Sequence, residues 1–265
     1  MAEETGVVSE QGPDGIPGKP IEQEKHIPGT AWLELAGYLV LGLGLLFVAS
    51  IPLSLRLEKI TLGISLLLYG MNIFFLLGSV LVVGRWSGQL SLADIGFWPV
   101  QWKKRWLLIV IVLTITLLPV RMILGVFVME LFGGGMDSLE LRMDIFLPGG
   151  LSLHGFLLTL LFTGLLVPIA EEMYFRGALY GWLRKHSSYP AALIGSTLLF
   201  GFGHMDSPAV AASSLVLGFA NAVLYEKTRS IWAPIAVHML NNSLAVVLIY
   251  FSMLVMEQYG PLLGM

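Results

Sequence analysis

The chain has 265 residues, 56% of them hydrophobic and only 12% charged, with a mean hydropathy of +0.80, which is more apolar than a domain with a fully solvated surface can be. The net charge of −3 says little about partners, since in so apolar a chain what matters is where the charges lie, and no nucleic-acid partner is expected. With no cysteine present, disulfide scaffolds, thiolate metal sites and a Cys nucleophile are excluded.

Residues 1–30 carry Glu3, Glu4, Glu10, Asp14, Glu22 and Glu24 among glycines and prolines, with almost no apolar period. This reads as a disordered acidic tail, and without a basic stretch before an apolar core it is not a cleaved secretory signal. Seven apolar segments follow, at about 31–55, 60–84, 106–132, 152–183, 189–206, 208–226 and 231–256. Their apolar runs are continuous for roughly 20 residues and do not alternate, which predicts membrane-spanning helices rather than a barrel. The expected fold is therefore all-α, a polytopic transmembrane bundle of about seven to eight spans. Residues 31–150 would supply the N-terminal helices and an interfacial loop, and 151–257 the part that holds the chemistry.

Between the second and third segments, 85–105 places Trp86, Trp98 and Trp102 beside Lys103, Lys104 and Arg105. Indoles next to cations predict anchoring at lipid headgroups. Gly133-Gly134-Gly135 and Pro148-Gly149-Gly150 bound a flexible external loop. Arg121, within the third segment, is expected to snorkel outward or to pair with a carboxylate. Lys and Arg sort eleven against three onto alternating sides, which predicts a cytoplasmic N-terminus.

The fourth segment contains Glu171, Glu172 and Arg176, three charges in an apolar run. Hydrocarbon tolerates such groups only when they pair, line a cavity or do chemistry. Phe175, Ala178, Leu179 and Trp182 continue at helical spacing to Arg184-Lys185, so one long helix is predicted, against a reading that stops near Ala170. Glu172 and Arg176 are spaced i,i+4 with the acid first, the favourable order for an intrahelical ion pair. Adjacent helical residues diverge by about 100°, so Glu171 and Glu172 are expected to serve different sites, with Glu171 left unpaired. Pro168 frees a backbone carbonyl and can bend the helix there.

The fifth segment ends in Phe200-Gly201-Phe202-Gly203-His204, and the last carries Pro234 and then His238, Asn241 and Asn242. Phe200 shares a face with His204, and His238 with Asn242. At 1.5 Å per residue, Glu171 lies ~20 Å from Arg184, His204 ~21 Å from Pro190, and His238 and Asn242 ~12 and ~18 Å from Ser230. The four can meet at one depth only if the fourth helix runs on to Arg184. Asn241 is expected to bond between helices, and His26, His154 and His186 to serve surface roles. A carboxylate beside an imidazole can polarise water, and a second His with an Asn amide can donate to an oxyanion, a set suited to amide hydrolysis. Glu171, His204 and His238 are also acceptable zinc ligands, although no H-E-x-x-H helix is present. A proton-coupled transporter using Glu171, His204 and His238 as a relay, or a non-catalytic membrane scaffold or immunity protein, would use the same residues differently. No internal repeat supports the transporter.

At these positions the chain resembles the CAAX protease and bacteriocin-processing family of intramembrane endopeptidases, which includes the type II CAAX prenyl proteases. Glu171-Glu172 with Arg176 matches its E-E-x-x-x-R element, Phe200 and His204 match F-x-x-x-H, and His238 and Asn242 match H-x-x-x-N. The likeness covers about 150–250. It implies that Glu171 and His204 activate the hydrolytic water and that His238 with Asn242 forms the oxyanion site. Glu172, Arg176 and Phe200 would support them. The implied partners are a peptide or membrane-protein substrate and the lipid bilayer. The resemblance leaves open whether substrates are prenylated and whether zinc takes part.

Overall fold

The structure, a computed structural model, describes residues 29–56, 61–88, 95–97, 104–132, 147–205 and 207–263. Residues 1–28 of the expected acidic tail, Trp98, Trp102 and Lys103 of the anchor loop, and the Gly133-Gly134-Gly135 run with Arg142 lie outside the described residues. Gly29 and Thr30, assigned to the tail from sequence, already belong to the first helix.

Among the described residues every regular element is helical. Helix α1 covers 29–56 and contains a π-helical stretch at Leu39–Gly44. Then come α2 (Leu62–Ser87), α3 (Lys104–Leu131), α4 (Leu153–His186), the shorter α5 (Tyr189–Phe202), α6 (Pro208–Thr228) and α7 (Trp232–Leu263). Six of these are long and apolar enough to cross a membrane and α5 is shorter, in keeping with the expected integral membrane bundle. Their ends follow local chemistry. The Thr61 hydroxyl accepts from Ile64 N–H at the start of α2, and the Ser152 hydroxyl accepts from Gly155 N–H at the start of α4, each satisfying a donor that a helix start leaves open. Helix α2 ends at Gly88, whose φ of 64° is the left-handed conformation glycine adopts without cost.

Helix α4 is the axis of the bundle. It runs unbroken through Glu171 to His186, as the long-helix reading requires, but in alternating registers: α-helical at Leu153–Thr159, π-helical at Leu160–Leu166, α-helical at Val167–Glu172, π-helical at Met173–Tyr180 and α-helical at Gly181–His186. From Val167 to Trp182 most of its side chains are buried whichever way they point, because α1, α2, α5, α6 and α7 all pack around it. Large apolar side chains such as Phe47, Phe74, Ile115, Ile123 and Phe251 cover the outside of the bundle, where lipid is the solvent.

Inside a membrane, helices are held by close packing and by polar contacts rather than by escape from water. Both are visible at α1, where Tyr174 Oη donates to the Tyr38 carbonyl at 2.8 Å and Trp182 Nε1 donates to the Ala31 carbonyl at 3.0 Å. A Cβ on Gly42 would stand 2.5 Å from the Tyr174 ring, so only glycine admits that contact. The centre of the expected headgroup anchor is held by protein instead. Ile95 is buried in a notch where a Cβ on Gly177 would approach its Cβ to 2.8 Å. The Gly96 carbonyl accepts from Ile231 N–H, and Phe97 meets Trp232 edge to face. Trp86 remains exposed, as an indole at a headgroup boundary would be.

Candidate active site

The pair predicted from i,i+4 spacing is present. Arg176 Nε lies 3.1 Å from Glu172 Oε2 and both side chains are 0% exposed, although the contact is electrostatic rather than an aligned hydrogen bond. Arg176 Nη2 donates to the Gly218 carbonyl of α6 at 3.0 Å, and its guanidinium carbon stands 4.5 Å from the centre of the Phe200 ring. A planar cation is thereby held by a carboxylate, a carbonyl and an aromatic face, the combination that suits arginine rather than lysine.

Glu172 has a second task that spacing did not reveal. Its Oε1 accepts from His238 Nδ1 at 2.7 Å and from Asn221 Nδ2 at 2.9 Å. A carboxylate that also faces a guanidinium acts as acceptor, so Nδ1 of His238 is the nitrogen that bears the proton. The Nε2 of the same ring lies 3.7 Å from Glu171 Oε2. The expectation that Glu171 and Glu172 serve separate sites is therefore corrected. Their side chains do diverge, but the two nitrogens of an imidazole sit on different edges of the ring. One histidine arriving from α7 at the step between them addresses both.

His204 completes the group from the end of α5. Its Nδ1 lies 2.7 Å from the Phe200 carbonyl, which can only accept, so that nitrogen is the donor and Nε2 is turned toward Glu171 Oε1 at 3.9 Å. The ring lies against Phe200, 4.6 Å between centroids, and is 23% exposed, whereas Glu171 is 7% exposed. Phe200 itself is enclosed between Phe175, His204, His238 and Arg176. Glu171 thus has one imidazole Nε2 near each of its oxygens, both beyond hydrogen-bond length and within the reach of a bridging water.

Asn242 shares the α7 face with His238, but its Nδ2 donates to the Thr163 carbonyl of α4 at 3.2 Å, and the neighbouring Ser243 hydroxyl donates to the Gly164 carbonyl at 3.4 Å. The physical reason lies in Pro168. It has no N–H, and the carbonyls it would have bonded are Gly164 in an α register and Thr163 in a π register. Helix α7 satisfies both. Asn241, expected to bond between helices, instead donates to Val237 of its own helix at 3.1 Å.

Three further residues reach the cluster. Asn72 of α2 stands near Glu171, Asn221 bridges Glu172 and the Pro234 carbonyl, and Arg121 of α3 donates from Nε to the Ser213 carbonyl of α6 at 3.2 Å with Glu171 in electrostatic range. Each was visible as a polar residue inside an apolar span, the signal that drew attention to Glu171. Arg121 is marked in the sequence by its charge, whereas no i,i+4 partner marks the two asparagines.

Apart from Asn72 and Arg121, this constellation falls within one matched stretch of sequence. Residues 153–244 match the Rce1-like family, type II CAAX prenyl endopeptidase Rce1-like. The Rce1-like stretch runs from α4 into α7 and includes Glu171, Glu172, Arg176, Phe200, His204, His238 and Asn242. Over 91 residues the chain is also 31% identical to a protein of Bacillus subtilis (strain 168) named "Putative membrane peptidase YdiL", a match that covers 34% of this chain and 37% of that protein. No solved structure matches the chain.

Zinc can be tested against the donor set of the Rce1-like stretch. The Nδ1 atoms of His204 and His238 are both held by acceptors, the arrangement that presents Nε2 to a metal. The three first-choice ligands stand 3.7 and 3.9 Å apart at their nearest atoms, against the roughly 3.4 Å that separates ligands held at about 2.0–2.2 Å around one tetrahedral ion. Among the described residues, no group of three or more His, Asp or Glu has the arrangement to hold a metal ion.

Proposed function

We propose that the protein is an intramembrane endopeptidase in which Glu171, flanked by His204 and His238, activates water against a peptide bond. The observation that carries this reading is the position of the Glu171 carboxylate between two Nε2 atoms, each on a ring whose Nδ1 is committed elsewhere. A water in that gap donates one hydrogen to the carboxylate and one to an imidazole, which raises the charge on its oxygen and aims it outward. Attack forms the bond from water oxygen to the carbonyl carbon while Glu171 takes the proton. Collapse breaks the C–N bond, and Glu171 returns the proton to the departing amine. Glu172 and Asn221 orient His238, and Phe200 braces His204. The Rce1-like match and the name of the Bacillus relative support peptide hydrolysis. The prenyl-endopeptidase description supports a prenylated carboxy-terminal peptide as the first substrate to try.

The test uses full-length protein in proteoliposomes with two quenched-fluorescent peptides, one S-farnesylated at a cysteine four residues from its carboxyl end and one without the lipid. Wild type is expected to cleave the first, and Glu171→Gln to cleave neither while retaining its melting temperature. Cleavage by Glu171→Gln at the wild-type rate would remove the carboxylate from the mechanism. Wild-type cleavage that survives a zinc chelator supports the metal-independent step, and loss of cleavage restored by added zinc overturns it.

A further inference from the structure

Arg184, in the last turn of α4, and Arg229, directly after α6, converge on one carboxylate. Arg184 Nε donates to Glu226 Oε1 at 3.1 Å, Arg229 Nη2 donates to the same oxygen at 2.8 Å, and Tyr180 Oη donates to Oε2 at 2.7 Å. One negative charge thus faces two guanidinium groups, with both of its oxygens taken. The surplus lies with the cations, because no acceptor meets Arg184 Nη1 or Arg229 Nη1. A helix C-terminus favours a nearby cation, but it leaves these N–H donors without a partner. The two side chains are 16% and 24% exposed, so the pair is partly open to the surroundings.

The backbone holds this arrangement firmly. Arg229 has a φ of 51°, a left-handed conformation that glycine adopts without cost and arginine does not. Its N–H donates to the Tyr225 carbonyl at 2.7 Å, and a Cβ on Gly96 would stand 3.0 Å from its carbonyl oxygen. The side chain is thereby returned over the end of α6 onto Glu226. The depth is marked by indoles: Trp32, which packs against Trp182, and Trp232 are 54% and 37% exposed, as side chains at a headgroup boundary are. Lys227, beside Glu226, is also exposed.

We propose that Arg184 and Arg229 bind the phosphate of an anionic phospholipid headgroup, so that one lipid joins the ends of α4 and α6. Paired guanidinium groups suit phosphate oxygens, and basic clefts between membrane helices take up acidic headgroups. The phosphodiester supplies acceptors to the N–H groups that Glu226 leaves over, and its charge balances the second guanidinium. A zwitterionic lipid carries its own cation and gains less. The site does not depend on the peptidase reading.

The experiment uses the full chain in nanodiscs of phosphatidylcholine with and without phosphatidylglycerol, reading thermal unfolding, and native mass spectrometry to count retained lipid. Wild type is expected to retain phosphatidylglycerol in preference to phosphatidylcholine and to unfold at a higher temperature with it. Arg229→Gln and Arg184→Gln are each expected to weaken that retention about fivefold. Glu226→Gln separates binding from packing: it lowers the unfolding temperature in phosphatidylcholine but leaves both arginines free, so phosphatidylglycerol raises that temperature by more than in wild type. Arg85→Gln with Lys104→Gln, which removes two exposed cations from other helix ends, keeps the wild-type retention. Equal retention of the two lipids by wild type overturns the proposal. So does an equal loss in the Arg85 and Lys104 variant, which would mean diffuse attraction, and so does equal stabilisation by inorganic phosphate, which would remove the lipid as the source. Should Arg184→Gln not fold, Arg229→Gln decides alone, and unchanged retention there overturns the site.

Discussion

His238 and Glu172 are joined at 2.7 Å between Nδ1 and Oε1, 66 positions apart in sequence. This contact sets which imidazole nitrogen faces Glu171, so Glu172 belongs to both the fold and the proposed chemistry. Glu172→Gln strands the buried Arg176 and is expected to cost about 3–5 kcal/mol. Glu172→Gln with Arg176→Met, which removes both charges, is expected to recover most of the melting temperature but little of the peptide cleavage. Full recovery of cleavage in the double variant would show that His238 needs no carboxylate at Nδ1.

The contact of Asn242 with Thr163 depends on Pro168. Asn242→Ala leaves a carbonyl of α4 without a partner and is expected to cost about 1–3 kcal/mol. In a Pro168→Ala background, where residue 168 regains its N–H, the same substitution is expected to cost measurably less. Thermal unfolding of the four variants gives the coupling directly, and additive effects would mean that the proline and the amide are independent.

Gly177 determines how closely Ile95 can approach α4. Gly177→Val places a branched side chain where even a Cβ would come within 2.8 Å of Ile95 Cβ, and overpacking of this kind costs about 1–3 kcal/mol. The readout is limited proteolysis: the connection between α2 and α3 should be cut sooner in the variant, with the melting temperature lowered.

The distribution of Lys and Arg predicts a cytoplasmic N-terminus. Because the chain has no cysteine, single cysteines can be placed without background. Ser188→Cys, between α4 and α5, is expected to react with a membrane-impermeant thiol reagent from the cytoplasmic side, and Ser152→Cys, before α4, from the opposite side. The reverse pattern would invert the topology.

The helices were legible because apolar runs of membrane length have few alternative folds, and α4 was legible past Glu171 because Phe175, Ala178, Leu179 and Trp182 keep helical spacing. The Glu172–Arg176 pair was legible for the same reason, being local to one helix. What spacing could not show was set by the approach of different helices. Asn221 finds its acceptors across the bundle, and His238 reaches both glutamates because of where α7 crosses α4. The centre of the 85–105 connection looked like a lipid anchor because its indoles and cations are conspicuous. Ile95 and the glycine notch that receives it leave no comparable mark.

The two π-helical stretches of α4 bear on how this protein can vary in length. A π turn accommodates about one residue more than an α turn while the helix continues on either side. Deleting one residue within Leu160–Leu166 would let that stretch relax to an ordinary turn, with Glu171 and Glu172 still presented to α2 and α7. The same deletion within Val167–Glu172 would swing the remaining carboxylate by about 100° and take it away from His238. Natural relatives that differ by single-residue gaps should therefore carry them in the π stretches, on either side of a six-residue segment whose phase cannot drift.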